Sequence, residues 1–313
     1  MTAWTGRVVV LAMLCLLCTA RAGWSQESRL GPYLGIEQGA SVARALSAPL
    51  SGNSQPTRCD TLLYAAGVPS GTDCPASSPR EIYDSEFDLG AGFVAGVTVG
   101  YGWRRIRVEA EYLNQHQGST SSLIYARDDL VASGKTREWN DSAPPFSAVS
   151  DVRAHQFFAN VYFDFTNGSR WTPYVGAGAG VGRTSLGYGN RYVRKTLAQR
   201  FFPTGGVDPM TTADVPEWQR NAAGTVSAVE TEISQTHFGG QALGGIDYDL
   251  SERVSLSAKV RWALFAPIED AFVWDLVRSH EPVLADGVTP YTLSLKLDSF
   301  QHVGVTFGLK YRF

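Results

Sequence analysis

Residues 299–313, SFQHVGVTFGLKYRF, constrain the fold of this chain more than any other stretch. From Val303 the odd positions carry Val303, Val305, Phe307, Leu309, Tyr311 and Phe313. The even positions carry His302, Gly304, Thr306, Gly308, Lys310 and Arg312. Strict period-2 alternation gives a strand one apolar, aromatic face and one polar, charged face. Seven further segments alternate in the same way, over residues 30–38, 87–101, 105–115, 154–165, 171–183, 237–250 and 254–264.

The charges fall on the less apolar face of these segments: Arg105, Arg107, Glu109, Glu111, Asp164, Asp247, Lys259, Arg261, Lys310 and Arg312. That face also carries many glycines. Such a set fills a narrow interior with ion pairs more readily than it covers a solvated surface, so the apolar face is expected to meet lipid. A soluble eight-stranded barrel would do the opposite. The connections agree. Those at 102–104, 166–170 and 251–253 are short, whereas 39–86, 116–153, 184–236 and 265–298 are long. The expected fold is all-β: an eight-stranded antiparallel up-and-down transmembrane β-barrel with four long extracellular loops and periplasmic termini. Its lumen should be plugged by side chains, with Glu109 and Glu111 facing Lys259 or Arg261.

The N-terminus fits an exported chain. Arg7 precedes an apolar run over 8–18, and Ala20-Arg21-Ala22 supplies a small-residue cleavage site. Residues 1–22 are expected to be a signal peptide, and 23–313 the outer-membrane β-barrel domain. Cys15 and Cys18 leave with the signal. The remaining pair, Cys59 and Cys74, is expected to form a disulfide in an oxidising compartment. The formal charge is −3 and becomes more negative once Arg7 and Arg21 are removed, which does not suggest a nucleic-acid binder.

Six blocks resemble the eight-stranded outer-membrane barrels of the OmpA-like, opacity-protein and surface-antigen type. They are GPYLGIEQGA, FVAGVTVGYGWRRIRVEAEY, FFANVYFDF, WTPYVGAGAGVG, GGQALGGIDYDLSERVSLSAKVRW and HVGVTFGLKYRF. The aromatic end, Tyr311 and Phe313, resembles the terminal assembly signal of such barrels. The resemblance implies an integral protein of the bacterial outer membrane. The sequence stops at Phe313, so no peptidoglycan-binding domain is expected after the barrel.

No catalytic, metal or cofactor site is expected. Gly176, Gly178, Gly180 and Gly182 have a period of two and no following helix, so they read as room for large neighbours rather than a nucleotide loop. His116, His155, His237, His280 and His302 are scattered, without a nucleophile motif. Two loop segments are the candidate surface-binding sites. Arg191, Arg194, Lys195 and Arg200 could pair with lipopolysaccharide phosphates. Pro267, the acidic residues after it, and Arg278 and His280 late in the segment predict a short helix carrying Phe272 and Trp274.

The leading expectation is therefore a structural or surface-interaction protein, adhesin- or surface antigen-like, acting through its long loops. A narrow passive channel and an outer-membrane lipid-modifying enzyme are the alternatives. Expected partners are outer-membrane lipid and lipopolysaccharide, the barrel assembly machinery and a host or surface ligand. A monomer is expected, with no cofactor.

Overall fold

Each alternating segment forms a strand. The computed structural model describes residues 30–54, 59, 61–64, 66–74, 78–123, 146–194, 216–273 and 288–313. The expected signal segment lies outside the described residues. The strands in chain order are β1 (Gly31–Ala43), β2 (Leu46–Ser54), β3 (Ser78–Phe87), β4 (Ala91–Trp103), β5 (Ile106–His116) and β6 (Thr120–Leu123). They continue with β7 (Phe146–Asp164), β8 (Trp171–Val193), β9 (Val226–Asp249), β10 (Val254–Phe265), β11 (Ile268–Val273), β12 (Thr292–Leu297) and β13 (Gln301–Arg312). One short helix, α1 (Glu217–Ala222), precedes β9.

Eight of these strands close on themselves antiparallel, in the order β5-β4-β1-β13-β10-β9-β8-β7, with β7 returning to β5. Closure leaves no unpaired edge in this ring. Its outer wall is apolar and exposed: Val97, Val99, Tyr101, Val108, Val161, Phe163, Val175, Leu256, Phe307 and Leu309 all point away from the lumen. An apolar wall around a polar, buried interior is the pattern of a membrane-spanning barrel. Among the described residues no helix is long and apolar enough to cross a membrane, so any crossing is made by strands.

The segments expected to be loops contain additional strands. β11, β12, β2 and β3 form a second sheet in that order, and β6 pairs with the upper part of β7. β3 lies beside β6 and β11 beside β9, so eight strand segments surround the long-loop end, which forms a head above the lower barrel. Their interior is apolar: Leu46, Ala48, Leu50, Val149, Leu186, Tyr188, Val229, Ile233, Leu293, Leu295 and Leu297 are all buried there. Here the lower barrel's pattern is inverted, with apolar residues inside as in a soluble barrel. The helix expected after Pro267 is, over its described part, the strand β11. Ile268, Asp270 and Phe272 alternate with Glu269, Ala271 and Val273, and the ladder to β12 sets the conformation. A terminal helix signal in the sequence loses to a hydrogen-bonded neighbour.

β7 passes through both tiers and, unlike β8 and β9, changes the parity of its buried face between them. Below residue 151 in the barrel, even positions face inward: Val152, Ala154, Gln156, Phe158, Asn160, Tyr162 and Asp164 are buried. Above it the odd positions Ser147 and Val149 are buried. The register to β8 shifts between Ser150 and Arg153, and Asp151 there has a φ of 51°. An extra residue in one strand of a pair changes which parity faces the core.

Candidate functional site

The lumen of the lower barrel is filled by charged side chains projecting from the inward positions of β1, β5, β7, β9, β10 and β13. Lys259 Nζ on β10 lies 2.9 Å from Glu111 Oε1 on β5 and 2.8 Å from Glu37 Oε2 on β1. Arg261 Nη2 lies 2.9 Å from Glu111 Oε1 and 2.6 Å from Glu37 Oε1. Gln241 adds a hydrogen bond from its amide to Glu111 Oε2 at 2.9 Å, and Asn160 donates to the same oxygen at 3.0 Å. Toward the short-turn end a second cluster forms. Arg107 Nε donates to Asp164 at 2.9 Å, Arg107 Nη1 lies 3.2 Å from Asp247, and Lys310 Nζ lies 3.1 Å from Asp247. Cations and carboxylates alternate around both clusters, so each buried charge has a partner of opposite sign.

Tyrosines line the same space. Tyr33 donates to Glu109 Oε1 at 2.7 Å, and the Arg107 guanidinium carbon stands 4.9 Å and 4.7 Å from the ring centres of Tyr162 and Tyr174. Glycine makes the room for these rings. A Cβ at Gly100 would strike the Tyr33 ring, and one at Gly176 would strike Tyr162. The expected reading of the inward glycines therefore holds at these positions: they permit close approach.

Of the ten charges expected in the lumen, Arg107, Glu109, Glu111, Asp164, Asp247, Lys259, Arg261 and Lys310 are buried there. Arg105 is not. The β4–β5 hairpin closes at the Trp103–Ile106 pair, leaving Arg104 and Arg105 as an exposed two-residue turn. Arg312, the last residue of β13, is half-buried at the lumen mouth, 3.9 Å from Asp249. Glu37 was missed as a site residue, although its place on the charged face of β1 was legible. Its role requires β10 to face β1 across β13, which alternation does not reveal.

The expected loop sites are rearranged. Arg191 is exposed on β8. Arg194 is buried rather than presented to solvent, and it donates to Ser227 Oγ at 3.1 Å. Phe272 packs against Tyr188 with ring centres 5.6 Å apart, as part of the head's core boundary. Lys195, Arg200 and Trp274 lie outside the described residues, as does His280. Tyr311 and Phe313 point outward and meet edge to face at 5.3 Å. Cys59 and Cys74 are joined by a disulfide. The segment it closes packs Leu63 and Tyr64 against Ala222 and Trp218 around α1, and Asn221 donates to the Leu63 carbonyl at 2.6 Å. Among the described residues no group of three His, Cys, Asp or Glu side chains is arranged to hold a metal ion.

A family model described as "Opacity family porin protein" matches residues 99–276, more than half of the chain. The protein belongs to that family. It is a bacterial outer-membrane β-barrel, and the family description names a porin and no enzymatic activity. No curated protein sequence matches it. Among solved structures it is similar to OprG of Pseudomonas aeruginosa, at 11% identity and a TM-score of 0.41 over 91% of this chain and 99% of that one. It is similar to Neisserial surface protein A at 14% identity and a TM-score of 0.37, covering 90% and 97% of the two chains. The attachment invasion locus protein Ail of Yersinia pestis gives 8% identity and a TM-score of 0.29, covering 90% of this opacity-family chain and all of that one.

Proposed function

We propose that this opacity-family protein is an anchored surface-interaction barrel, adhesin- or surface antigen-like, whose long-loop head engages a host or surface ligand. The observation that carries this reading is the lumen. Lys259, Arg261, Glu37 and Glu111 join across it and are almost fully buried, so the lower barrel serves as a scaffold. Ligand contacts then belong to the head, where binding residues are held on a rigid frame. In this reading residues 1–22 are a signal peptide, 23–313 form the barrel domain, the termini are periplasmic and the head lies outside the cell. Tyr311 and Phe313 are the contact for the barrel assembly machinery. The mature protein works as a monomer without a cofactor or nucleic acid.

Replacing the head segments 46–87 and 268–297 by short turns tests the reading. The trimmed protein should lose surface binding while keeping heat-modifiable migration in gels. Full binding by the trimmed barrel would move function into the lumen. The second reading, a narrow passive channel, is favoured by the family's description as a porin. Planar-bilayer recording separates the two. Silence supports the anchored scaffold, and steady ion-selective openings support the channel.

A further inference from the structure

The ladder registers place two rows of polar and basic side chains side by side on the outer wall, above the apolar belt. β5 pairs with β7 at Asn114–His155 and at His116–Arg153. β7 pairs with β8 at His155–Arg183 and at Arg153–Ser185. One step toward the short-turn end, the same face carries Tyr112, Phe157 and Val181, and β9 adds Phe238 beside Val181. Phe157 and Phe238 are strongly exposed, at 55% and 78%. Adjacent strands lie about 4.8 Å apart and same-face neighbours about 7 Å along a strand, so His116, Arg153, His155 and Arg183 converge on one small area.

The local bonding prepares the patch. Asp151, in the bulge, holds Arg153 Nη2 at 2.8 Å and His116 Nε2 at 3.2 Å. His155 Nδ1 is bonded to the Tyr112 hydroxyl at 2.8 Å. Arg183 Nε donates to Ser234 Oγ at 3.2 Å, which fixes the plane of its guanidinium. Asp151 offsets Arg153, and Arg183 then supplies the net positive charge. Glu232 stands farther up the wall, opposite Gly187. Around the ring, the upper outward positions of β1, β13 and β10 are instead apolar: Val42, Val303 and Leu264. The clustered basic row lies on the β5–β7–β8 sector, with Arg44 exposed separately just beyond β1.

We propose that this sector of the β5–β7–β8 wall binds the phosphate of a membrane-lipid headgroup. The continuity of the two surfaces commits the site to a lipid rather than to free phosphate. Acyl chains lie on Phe157 and Phe238, and the headgroup of the same molecule reaches the row above. Guanidinium forks bind phosphate oxygens through paired charge-assisted hydrogen bonds, and a fork already oriented by Ser234 loses less freedom in doing so. The aromatic row at this level is the usual boundary between acyl chains and headgroups. Assigning the lipid to the outer leaflet rests on the reading of the long-loop end as external; the phosphate site itself does not.

The full chain, folded in a zwitterionic detergent, is offered equimolar phosphatidic acid and diacylglycerol of identical acyl chains, and retained lipid is counted by native mass spectrometry. The protein should retain phosphatidic acid about tenfold over diacylglycerol. R153Q/R183Q should bring the ratio to parity, whereas R191Q should leave it unchanged. Heat-modifiable migration confirms folding of each variant, and R183Q alone is read if the pair does not fold. Equal preference in R183Q or the pair and in the parent protein overturns the proposal. So does displacement of phosphatidic acid by inorganic phosphate at equal concentration. Labelling of Ser121→Cys on intact cells with an impermeant thiol reagent reports sidedness separately. Its failure would sink the external reading and leave the retention result standing.

Discussion

Glu111 and Lys259 meet at 2.9 Å although their strands, β5 and β10, stand diametrically opposite in the eight-stranded ring. The contact spans the full width of the lumen. Arg261 reinforces it from β10, reaching Glu111 and Glu37 together. A cross-link of this kind ties the two halves of the barrel wall together across the lumen. It also makes each member costly to remove singly, because its partner is left charged and buried.

Lys259→Met should therefore lower barrel stability by about 3–5 kcal/mol. The urea midpoint for loss of the fast-migrating folded band measures it. Glu111→Leu combined with Lys259→Met should cost clearly less than the two single changes summed, since neither charge is stranded. Strict additivity would show that the pair is not coupled.

Asp151 sits where β7 changes the parity of its buried face between the tiers. Its φ of 51° suits glycine, so Asp151→Gly should fold with the head intact. Asp151→Val should cost about 1–3 kcal/mol, because a β-branched residue is strained in that region. Deleting Asp151 should turn Ser147 and Val149 outward and raise protease sensitivity of the head. A deletion variant as resistant as the parent would remove the bulge from this role.

His116 and Arg153 hold the Asp151 carboxyl below the ordinary aspartate range, at an exposed position above the apolar belt. A depressed folded-state pKa contributes stability above the unfolded-state pKa, and the contribution is lost as pH falls through the folded value. The difference in urea midpoint between the parent and Asp151→Asn should thus be constant from neutral pH to about pH 5 and shrink in stronger acid. A difference that grew on acidification would contradict the sign.

The disulfide and α1 form one unit. Closing a loop of 15 residues contributes about 3 kcal/mol in the chain-entropy model. Reduction should release Leu63 and Tyr64 from Ala222 and Trp218 while the barrel stays folded. Limited proteolysis before and after reduction reads this as new cleavage confined to the segment near Cys59 and Cys74. Unchanged cleavage would mean that the packing around α1 holds the segment without the bond.

Phe307 points outward near the middle of β13. Phe307→Arg should cost about 2–4 kcal/mol at mid-depth of a bilayer and fall in folded yield. A similar change at His302, on the opposite face of the strand, would act through the interior instead. Normal folding of Phe307→Arg in lipid vesicles would argue against a lipid-facing wall at that height.

Alternation alone determined the lower barrel. Residues such as Val303 to the outside and Lys310 to the inside follow from period two, and the eight alternating segments gave the strands of the ring. The sequence also carried the Cys59–Cys74 pair and the closing glycines. It did not determine which charges meet. Glu37 and Arg261 are 224 positions apart and touch because the ring places β1 and β10 on either side of β13. Nor did it reveal the head. Leu46, Leu50, Leu293 and Leu295 read as loop residues until β2 and β12 pair, and Arg194 reads as a free cation until Ser227 folds over it. Periodicity fixes how residues alternate along one strand. Only the closed ring and its partners fix which alternate face is buried, and in β7 the bulge at Asp151 switches it.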